Sequence, residues 1–540
     1  MNQYIRIEEV ILNLNEDENN VLQNKTAKIL GIKNDEIIEF NIIKKAIDSR
    51  NKNNILFVYI VDVKIENQEM YFEKNKKNEK NIIRHKIRFI EPFIYNINKI
   101  NSSKLKKRPI VVGTGPSGLF CGLALALAGA NPIILERGSR VEERVVQVHN
   151  FFTKRELNPN SNVQFGEGGA GTFSDGKLYT LVNDPRSKFI FEEFVKAGAP
   201  KEILYSARPH IGTDRLRGVV RNMRKKIIEL GGEIRFDTLM TDIIVVDGKI
   251  KGVKLQNGDT LETNDLVLGI GHSARDTCEM LYNRGLEIIG KPFAIGVRIE
   301  HPRELINKSQ FGESCNNIKL PTANYKLVSH HEKNRSVYSF CMCPGGLVVN
   351  ASSEKGKLTV NGMSEYAQNS INSNSALLVN VMTSDFGSDH PLAGIEFQRF
   401  WEEKAFIEGG SNYDAPAQLV GDFLAGVPSK KLGSIETTFK PNLKMTSIDK
   451  CLPEFVTSAL REAIPLLDRK IKGFAHKDAI LIGIEARTSA VVRFVRDKDT
   501  CESNIIGVYP SGEGAGYAGG ITSSAIDGLI VSESLIKKYS

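Results

Sequence analysis

The 540-residue sequence has no apolar run long enough to cross a membrane and no recognisable secretion signal. Its longest apolar stretch in the middle of the chain, residues 118–130, has about thirteen residues, whereas a bilayer-spanning helix needs about 20. The N-terminal segment Met1–Arg6 does not place basic residues before an apolar region. We therefore expect a cytoplasmic protein without a membrane span.

Cysteine is scarce, and its spacing is not that of a disulfide framework. The seven cysteines are scattered over residues 121–501, and no two of them form a CxxC pair. An odd number without paired spacing argues against a disulfide-rich fold and a zinc ribbon, so no metal site is predicted. Only Cys341 and Cys343 lie close together in the chain.

Charge is distributed unevenly along an otherwise ordinary composition. Hydrophobic residues make up 41% of the chain and charged residues 25%, as in globular proteins generally, and the formal net charge is +8. Residues 1–108 hold 21 lysines and arginines against 15 acidic residues. Such a segment could meet an acidic partner or nucleic acid. Because its acidic residues are interleaved and no aromatic–basic pattern appears, a solvated surface is favoured and nucleic-acid binding is not predicted.

The chain is too long for one compact core and predicts two or three domains. Residues 1–100 combine strand-like and helix-like segments, which predicts a small α+β domain of ferredoxin-like type, and residues 101–108 predict a polar linker. Strand-like and helical segments then alternate over residues 109–290 and 431–540, which predicts an α/β domain with a largely parallel sheet. Residues 291–430 break this alternation and predict an inserted mixed-β domain.

A glycine-rich turn follows the first strand of the predicted α/β domain. The strand Ile110–Val112 leads into Gly113-Thr114-Gly115-Pro116-Ser117-Gly118 and then into a run of leucine and alanine. In a dinucleotide site the first glycine permits the tight turn, the second lets the backbone approach a pyrophosphate, and the third lets helix and strand pack closely. The helix N-terminus offers free N–H groups to the phosphates.

An acidic residue stands where such a site needs one. Gly129 ends the helix, and the strand Pro132–Leu135 terminates in Glu136, eighteen residues after Gly118. A carboxylate at this distance is expected to hold a ribose diol, whereas an NADP site would place a cation against its 2′-phosphate. Glu136-Arg137-Gly138 therefore favours FAD.

Three further segments favour a large cofactor that lies against bare backbone. Residues 166–171 contain four glycines in six positions, and the strand-like segment Asp265–His272 ends in small residues. The segment Gly507–Ile521 is the third. In it, Glu513 could accept hydrogen bonds from ribityl hydroxyls, and Gly519-Gly520 would start a helix aimed at the N1–C2=O edge of a flavin, where reduced flavin carries negative charge.

Together these segments resemble the FAD-binding proteins of the glutathione-reductase structural type and, more closely, a largely uncharacterised bacterial group of FAD-dependent dehydrogenases. The resemblance extends over nearly the whole chain. The matching stretches are Pro109–Gly138, Ser161–Phe165, Ser174–Leu178, Gly271–Asp276, Lys291–Pro302, Cys341–Gly346, Glu485–Ser489 and Gly507–Ile521.

The resemblance implies an FAD-binding Rossmann-like domain in two parts, residues 109–290 and 431–540, with residues 291–430 as a substrate or cap domain. It implies FAD as the cofactor and an oxidoreductase as the activity, but it names no substrate. The residues expected to contact the cofactor are Gly113, Gly115, Pro116, Ser117, Gly118, Glu136, Arg137, Gly168, Gly169, Lys177, Met240, Gly271, Glu513, Gly519, Gly520 and Ile521.

Cys341 and Cys343 are open to two interpretations, as buried core residues or as reactive thiols. In a regular strand Cys341 and Cys343 share one face, and if that face met the flavin they could take part in thiol redox chemistry. A disulfide between them would be strained, and the CxxC spacing of flavin-linked thiol reductases is missing. Buried core cysteines are therefore favoured.

Other polar residues remain open between a role at the cofactor and a structural one. Lys177 is the strongest candidate because it follows the glycine cluster. His272 and Arg275 could border the cofactor, and Arg298 could bind an acidic substrate or support the flavin. Internal ion pairs or helix capping explain these residues equally well, and Arg487 could pair with a nearby acid. No general acid or base is predicted.

The function predicted from these residues is hydride transfer between an unknown small organic substrate and flavin N5. A second dinucleotide motif is missing, because Gly269-x-Gly271-x-x-Ala274 is not followed by a strand with a terminal acid at the right distance. NAD(P)H would then act only as a transient reductant. The alternatives are an FAD monooxygenase and a non-catalytic or regulatory flavoprotein whose N-terminal domain binds a partner.

Overall fold

The computed structural model describes residues 3–66, 68, 71, 79–180, 182–331 and 334–540. They form a mixed α/β protein that divides into two compact units. The first unit consists of residues 1–96, 200–209 and 307–321, and the second of residues 97–199, 210–306 and 322–540.

An antiparallel sheet forms the centre of the first unit. Its strands are β1 (Tyr4–Asn13), β2 (Ile37–Asp48), β3 (Leu56–Ile65) and β4 (Arg88–Ile90), in the order β2-β3-β1-β4. The helices α1 (Glu18–Leu30) and α2 (Glu79–Arg84) follow β1 and precede β4. Alternate side chains of β1 and β3 are buried in one core, as the period of two in a strand requires.

Helix α1 begins and ends where its caps place it. The Asp17 side chain accepts a hydrogen bond from the Asn19 N–H, so the helix begins at Glu18. It ends at Gly31, whose φ of +72° is left-handed.

The second unit contains the remaining strands and most of the helices of the described chain. Its strands are β5 (Ile110–Val112), β6 (Ile133–Leu135), β7 (Glu233–Arg235), β8 (Met240–Val246), β9 (Lys249–Leu255), β10 (Thr260–Glu262), β11 (Leu266–Leu268), β12 (Ile288–Gly290), β13 (Phe293–Pro302), β14 (Val328–Ser329), β15 (Val337–Cys343), β16 (Leu347–Asn350), β17 (Val360–Met363), β18 (Asn372–Val381), β19 (Ala415–Leu419), β20 (Leu443–Met445), β21 (Ile480–Glu485), β22 (Val492–Phe494) and β23 (Val508–Pro510). The helices that follow α2 in the chain are α3 (Pro116–Ala128), α4 (Val141–Lys154), α5 (Arg186–Lys196), α6 (Thr213–Glu229), α7 (Arg275–Asn283), α8 (Arg303–Phe311), α9 (Ala393–Glu408), α10 (Val420–Ala425), α11 (Glu454–Asp468) and α12 (Ile521–Tyr539).

A parallel sheet of five strands, in the order β23-β11-β5-β6-β7, lies at the centre of the second unit. Its short strands β6, β11 and β23 are buried along their whole length, as expected for parallel strands covered on both faces. Helices α3 and α12 pack together so closely that a Cβ on Gly528 would lie 2.2 Å from the Ser117 carbonyl oxygen. Because β11 pairs with both β5 and β23, the sheet joins a strand near residue 110 to one near residue 510.

A larger mixed sheet has the order β14-β15-β18-β13-β21-β19-β20. Its central strands β13 and β18 pair in antiparallel register over their whole length. The pairing of β15 with β18 is interrupted by a register shift between Phe340 and Cys343, and Cys341 has a φ of +43°. This bulge breaks the regular alternation that the sequence predicted for Cys341 and Cys343.

One three-stranded and two two-stranded antiparallel sheets belong to the second unit as well. The three-stranded sheet has the order β10-β9-β8, and the two-stranded sheets are β12-β22 and β16-β17. Within the described ranges, none of the helices combines the length and the apolar character that a bilayer crossing demands.

Candidate functional site

A cavity in the second unit opens at the carboxyl ends of the parallel strands. Residues immediately after β5, β6, β11 and β23 line it, which is the edge where α/β sheets bind their ligands. Most of the residues proposed from the sequence as cofactor contacts line this one cavity. They are Gly113, Gly115, Pro116, Ser117, Glu136, Arg137, Gly169, Lys177, Met240, Gly271, Glu513, Gly519, Gly520 and Ile521.

Gly118 and Gly168 are the two proposed residues that do not line the cavity. A Cβ on Gly118 would lie 2.0 Å from the Gly113 carbonyl oxygen, so this glycine serves close packing of α3 on the turn. A Cβ on Gly168 would lie 2.1 Å from the Thr172 hydroxyl oxygen. Both positions therefore act on the shape of the backbone around the cavity.

The turn after β5 leaves bare backbone at the cavity wall. Gly113 has a φ of +99°, and a Cβ there would lie 2.3 Å from the Gly269 carbonyl oxygen. By contrast, the nearest atom to a Cβ on Gly115 is 3.9 Å away, so this glycine faces open space. Gly115 is also the N-cap of α3, and no side chain caps the helix. The free N–H groups and the positive end of this helix suit the pyrophosphate of a dinucleotide.

Glu136 ties together three loops at the end of β6. One carboxylate oxygen accepts hydrogen bonds from the Thr114 N–H at 2.9 Å and the Thr114 hydroxyl at 2.6 Å. The other accepts from the N–H groups of Gly138 at 2.9 Å and Gly166 at 3.0 Å. Its contact with a ribose diol stays a prediction, and the structure adds a second role in holding the loops of the cavity.

Arg137 is fixed against the same wall. Its guanidinium lies 4.3 Å from the centre of the Phe165 ring and donates to the Asp276 carboxylate at 2.7 and 2.9 Å. It also donates to the Asn160 side chain at 3.0 Å. The planar cation on a ring gives this part of the cavity a flat, rigid surface.

The C-terminal glycine segment forms the opposite part of the cavity. Helix α12 begins at Ile521, and a Cβ on Gly519 or Gly520 would meet nothing within 4 Å. The Gly520 N–H donates to the Glu513 carboxylate at 3.1 Å. Burial raises the pKa of Glu513 to about 7, although the bond from Gly520 and the charge of Lys291 oppose the shift. Glu513 can therefore hold or release a proton near neutrality.

The ammonium group of Lys177 lies beside the sulfur atoms of two cysteines. Its ammonium nitrogen lies 3.9 Å from the Cys341 sulfur, 3.8 Å from the Cys343 sulfur and 3.6 Å from an Asp175 carboxylate oxygen. Burial alone would lower the pKa of Lys177, but the negative charge of Asp175 and the neighbouring side chains of Cys341 and Cys343 raise it above its ordinary value. Cys343 is buried, as the favoured sequence interpretation has it, whereas Cys341 is partly exposed and lines the cavity.

Arg298 and Arg275 are internal ion-pair residues and do not line the cavity. Arg298 on β13 pairs with Glu485 on β21 and donates to the Cys341 carbonyl oxygen at 2.9 Å. Arg275 pairs with Glu402 at 2.6 Å. For both residues the structure supports the ion pair that the sequence left as one of two alternatives.

Arg487 and His272 do line the cavity. Arg487 donates to Glu402 at 2.8 and 2.9 Å, so its charge is paired. Burial, together with the charges of Arg487 and Arg275, lowers the pKa of His272 to about 4. His272 is therefore neutral at physiological pH, and one ring nitrogen can accept a hydrogen bond.

Sequence reasoning did not single out two acids of the cavity. Asp175 stands two positions before Lys177, and Glu485 two positions before Arg487. Burial raises the pKa of Glu485 to about 7 against the opposing charge of Arg298. The spacing of two from a basic residue was the available signal, but only the fold shows which pairs form.

Comparisons with known proteins agree with the site. Residues 292–488 match a family model described as "FAD-dependent protein, C-terminal domain-like", and residues 4–64 match a "Domain of unknown function (DUF8436)". The chain is 48% identical over 536 residues, 99% of each chain, to an uncharacterized protein of Clostridium beijerinckii (strain ATCC 51743 / NCIMB 8052).

Two solved structures resemble this chain at low sequence identity and low TM-score. L-Proline dehydrogenase from P. horikoshii is 13% identical, with a TM-score of 0.34 over 81% of this chain and 95% of that one. Glycine oxidase from Bacillus cereus is 12% identical, with a TM-score of 0.30 over 81% and 96%. Neither likeness bears on activity.

The fold and the cavity thus define a mixed α/β, FAD-dependent protein. The chain belongs to the same family as the Clostridium beijerinckii protein. Its residues 292–488 match the C-terminal domain described for FAD-dependent proteins, and FAD is its cofactor.

Proposed function

We propose that the protein is an FAD-dependent oxidoreductase, a dehydrogenase or reductase, that transfers a hydride between a small organic substrate and its flavin. The observation that carries the proposal is the cavity itself. Bare backbone at Gly115 and at Gly519-Gly520, about 400 residues apart in the chain, meets at the carboxyl edge of one parallel sheet. Bound FAD supplies a flavin N5 that gives or accepts the hydride.

The protein groups would bind the cofactor from both ends. The N-terminus of α3 and Gly115 would hold the pyrophosphate, and Glu136 the adenosine ribose. The N-terminus of α12 would face the N1–C2=O edge of the flavin and favour its negative charge by roughly 0.3–2 kcal/mol. Glu513 would accept a hydrogen bond from a ribityl hydroxyl or hold a proton beside that edge of the flavin.

The substrate side of the cavity carries its own polar groups. Lys177 lines it from the loop after the glycine cluster, Cys341 from the mixed sheet and Asn361 from the β16-β17 pair. Paired charges of Lys177 with Asp175 and Arg487 with Glu402 keep this wall polar without an isolated charge. These residues would orient a small substrate and exclude water while hydride transfer takes place.

Two finer features of the fold are part of the proposal. The five-stranded parallel sheet with a glycine turn before α3 supports a Rossmann-like domain of the glutathione-reductase type. The sheet order β2-β3-β1-β4, with a helix between β1 and β2 and another between β3 and β4, supports a ferredoxin-like N-terminal domain. We retain residues 291–430 as the substrate or cap region.

The test is anaerobic reduction of the purified protein. We expect a flavin band at about 450 nm that is bleached by a two-electron donor, with NADH and NADPH tried first as transient reductants. Bleaching by dithionite alone would instead favour a non-catalytic flavoprotein. Rapid reoxidation in air with a hydroxylated product would favour a monooxygenase, and a colourless protein that cannot be reconstituted with FAD would overturn the proposal.

A further inference from the structure

The proposed hydride transfer does not use the sulfur chemistry of one group of side chains beside the cavity. Cys341, Cys343 and Lys177, named here the thiol cluster, lie where the mixed sheet meets the loop after the glycine cluster. The bulge in β15 turns Cys341 toward the cavity, and Arg298 holds its carbonyl oxygen at 2.9 Å. Cys341, a partly exposed residue that lines the cavity, therefore stands on a backbone held in place by Arg298.

Cations and anions both face the thiol cluster. Lys177 contacts both sulfurs, and the Arg298 guanidinium lies 3.9 Å from the Cys343 sulfur. The carboxylates of Asp175, Glu485 and Glu513 oppose a negative charge on the Cys341 sulfur. One Asp175 oxygen accepts from Ser364, while the other, buried, has no hydrogen-bond partner among the described residues and lies 3.6 Å from Lys177.

The two sulfurs are not equivalent. The neighbouring Cys343 side chain and the charges of Lys177 and Arg298 lower the pKa of Cys341 well below its ordinary value, although burial and Asp175 oppose the shift. The neighbouring Cys341 sulfur, together with burial, raises the pKa of Cys343 well above its ordinary value. Cys343 thus keeps its proton and donates it to the Cys341 carbonyl oxygen at 3.3 Å, and the negative charge is concentrated on the sulfur of Cys341, the residue that lines the cavity.

We propose that Cys341 is a thiolate nucleophile in the cofactor cavity, activated by Lys177 and Cys343, and that it attacks small ligands with a soft electrophilic atom. Thiolates are the reactive form of cysteine, and an adjacent cation in a partly exposed site is the environment in which they occur. Lys177 is a positioning residue that acts through the sulfur.

The reaction of the probe iodoacetamide shows the chemistry. The Cys341 sulfur forms a bond to the methylene carbon, the carbon–iodine bond breaks, and iodide leaves with the bonding electron pair. No proton or electron is taken from another group, so the rate reports the thiolate directly.

The experiment is a pH profile of alkylation on the full-length protein as purified, followed by mass spectrometry of peptides. Cys315, which is also partly exposed, provides an internal reference. We expect Cys341 to react at least about tenfold faster than Cys315 at about pH 6.5, and its rate to change little up to about pH 8.5. A Cys341 rate that falls steeply as the pH is lowered from about 8.5 to about 6.5 overturns the proposal.

A second measurement controls for restricted access of the reagent to the cavity. Thiolate absorbance at about 240 nm, taken as the difference between the wild-type protein and Cys341→Ser, does not require entry of a reagent. We expect this difference to persist at about pH 6.5. Its absence there contradicts the proposal even if alkylation is blocked.

Lys177→Gln removes the cation, and Lys177→Arg is the matched control that keeps it. At about pH 6.5 we expect the Gln variant to slow Cys341 alkylation at least about tenfold and the Arg variant to slow it less than about threefold. At about pH 9 the two should converge on the wild-type rate, which a merely structural role of Lys177 would not produce. Equal slowing at both pH values overturns the role of Lys177.

The alkylation rate reports the thiol whether or not flavin is present. A protonated Cys341 therefore leaves the proposed hydride transfer intact, and a protein without a flavin band leaves this inference intact.

Discussion

At the scale of single residues, Gly115 has the sharpest test. A Cβ fits the protein at this position, with its nearest neighbour 3.9 Å away, but it would enter the space that we propose for the cofactor. We expect Gly115→Val to fold and to lose its flavin, measured as the ratio of the 450 nm and protein absorbances.

The control for this prediction is Gly218→Val. Gly218 lies in α6, where a Cβ also meets nothing within 4 Å, and it does not line the cavity. This variant should keep its flavin and change the free energy of unfolding by less than about 1 kcal/mol, because valine is a somewhat better helix former than glycine. A Gly115→Val protein that purifies as yellow as the wild type would remove Gly115 from the cofactor site.

Residues also show where sequence reasoning stops. Gly113 has the positive φ expected of the turn, and Gly118 has the expected packing role because its close neighbour Gly113 stands only five positions before it. The identity of the charged partners was not available in the same way. Arg275 pairs with Glu402, about 130 positions away, and only packing brings them together.

At the scale of elements, β13 carries a buried histidine with a pH-dependent cost. His301 is fully buried, and one ring nitrogen lies 2.7 Å from the Phe474 carbonyl oxygen, while the other has no partner among the described residues. Burial lowers the pKa of His301 to about 4. Its neutral state therefore stabilises the fold above about pH 6.5, and this contribution is lost as the pH falls toward 4.

We predict that His301→Gln flattens the acid branch of the stability profile. Since one unit of pKa corresponds to about 1.4 kcal/mol, the wild type should lose up to about 3 kcal/mol more unfolding free energy than the variant between about pH 6.5 and 4. Denaturant melts at each pH measure this difference. Parallel profiles for the two proteins would show that His301 does not titrate on unfolding in this range.

Elements differ in how far their sequence predicts them. The strand Ile110–Val112, helix α3 and the strand Ile133–Leu135 were predicted from glycine positions and apolar runs, which are local signals. The bulge in β15 was not predicted, because a bulge depends on pairing with β18, more than 30 residues farther along the chain. The alternation expected for Cys341 and Cys343 failed for this reason.

At the scale of the whole molecule, the cavity joins segments from both ends of the second unit. The turn at Gly113–Gly118 and the segment Gly507–Ile521 both contribute residues to the lining of this cavity, and α3 packs on α12. A ligand that contacts both should hold the folded state together, because it binds only when both are in place.

We therefore expect removal of FAD to lower thermal stability. With free FAD at about 100 times its dissociation constant, linkage predicts about 2.7 kcal/mol of stabilisation over the apoprotein. Melting curves of the apoprotein with increasing FAD measure it, with FMN as a comparison that lacks the adenosine end. An apoprotein whose melting temperature does not respond to FAD would contradict a cofactor that bridges the two segments.

The sequence by itself determined the local backbone of this protein: where the glycine turn lies, which helix follows it and which acid ends the next strand. These features depend on conformational freedom and apolar spacing within about 20 residues. Only the tertiary structure decided which charges are paired, and that Lys177 meets two sulfurs more than 160 positions away. Such contacts follow from the packing of whole sheets, which no local pattern encodes.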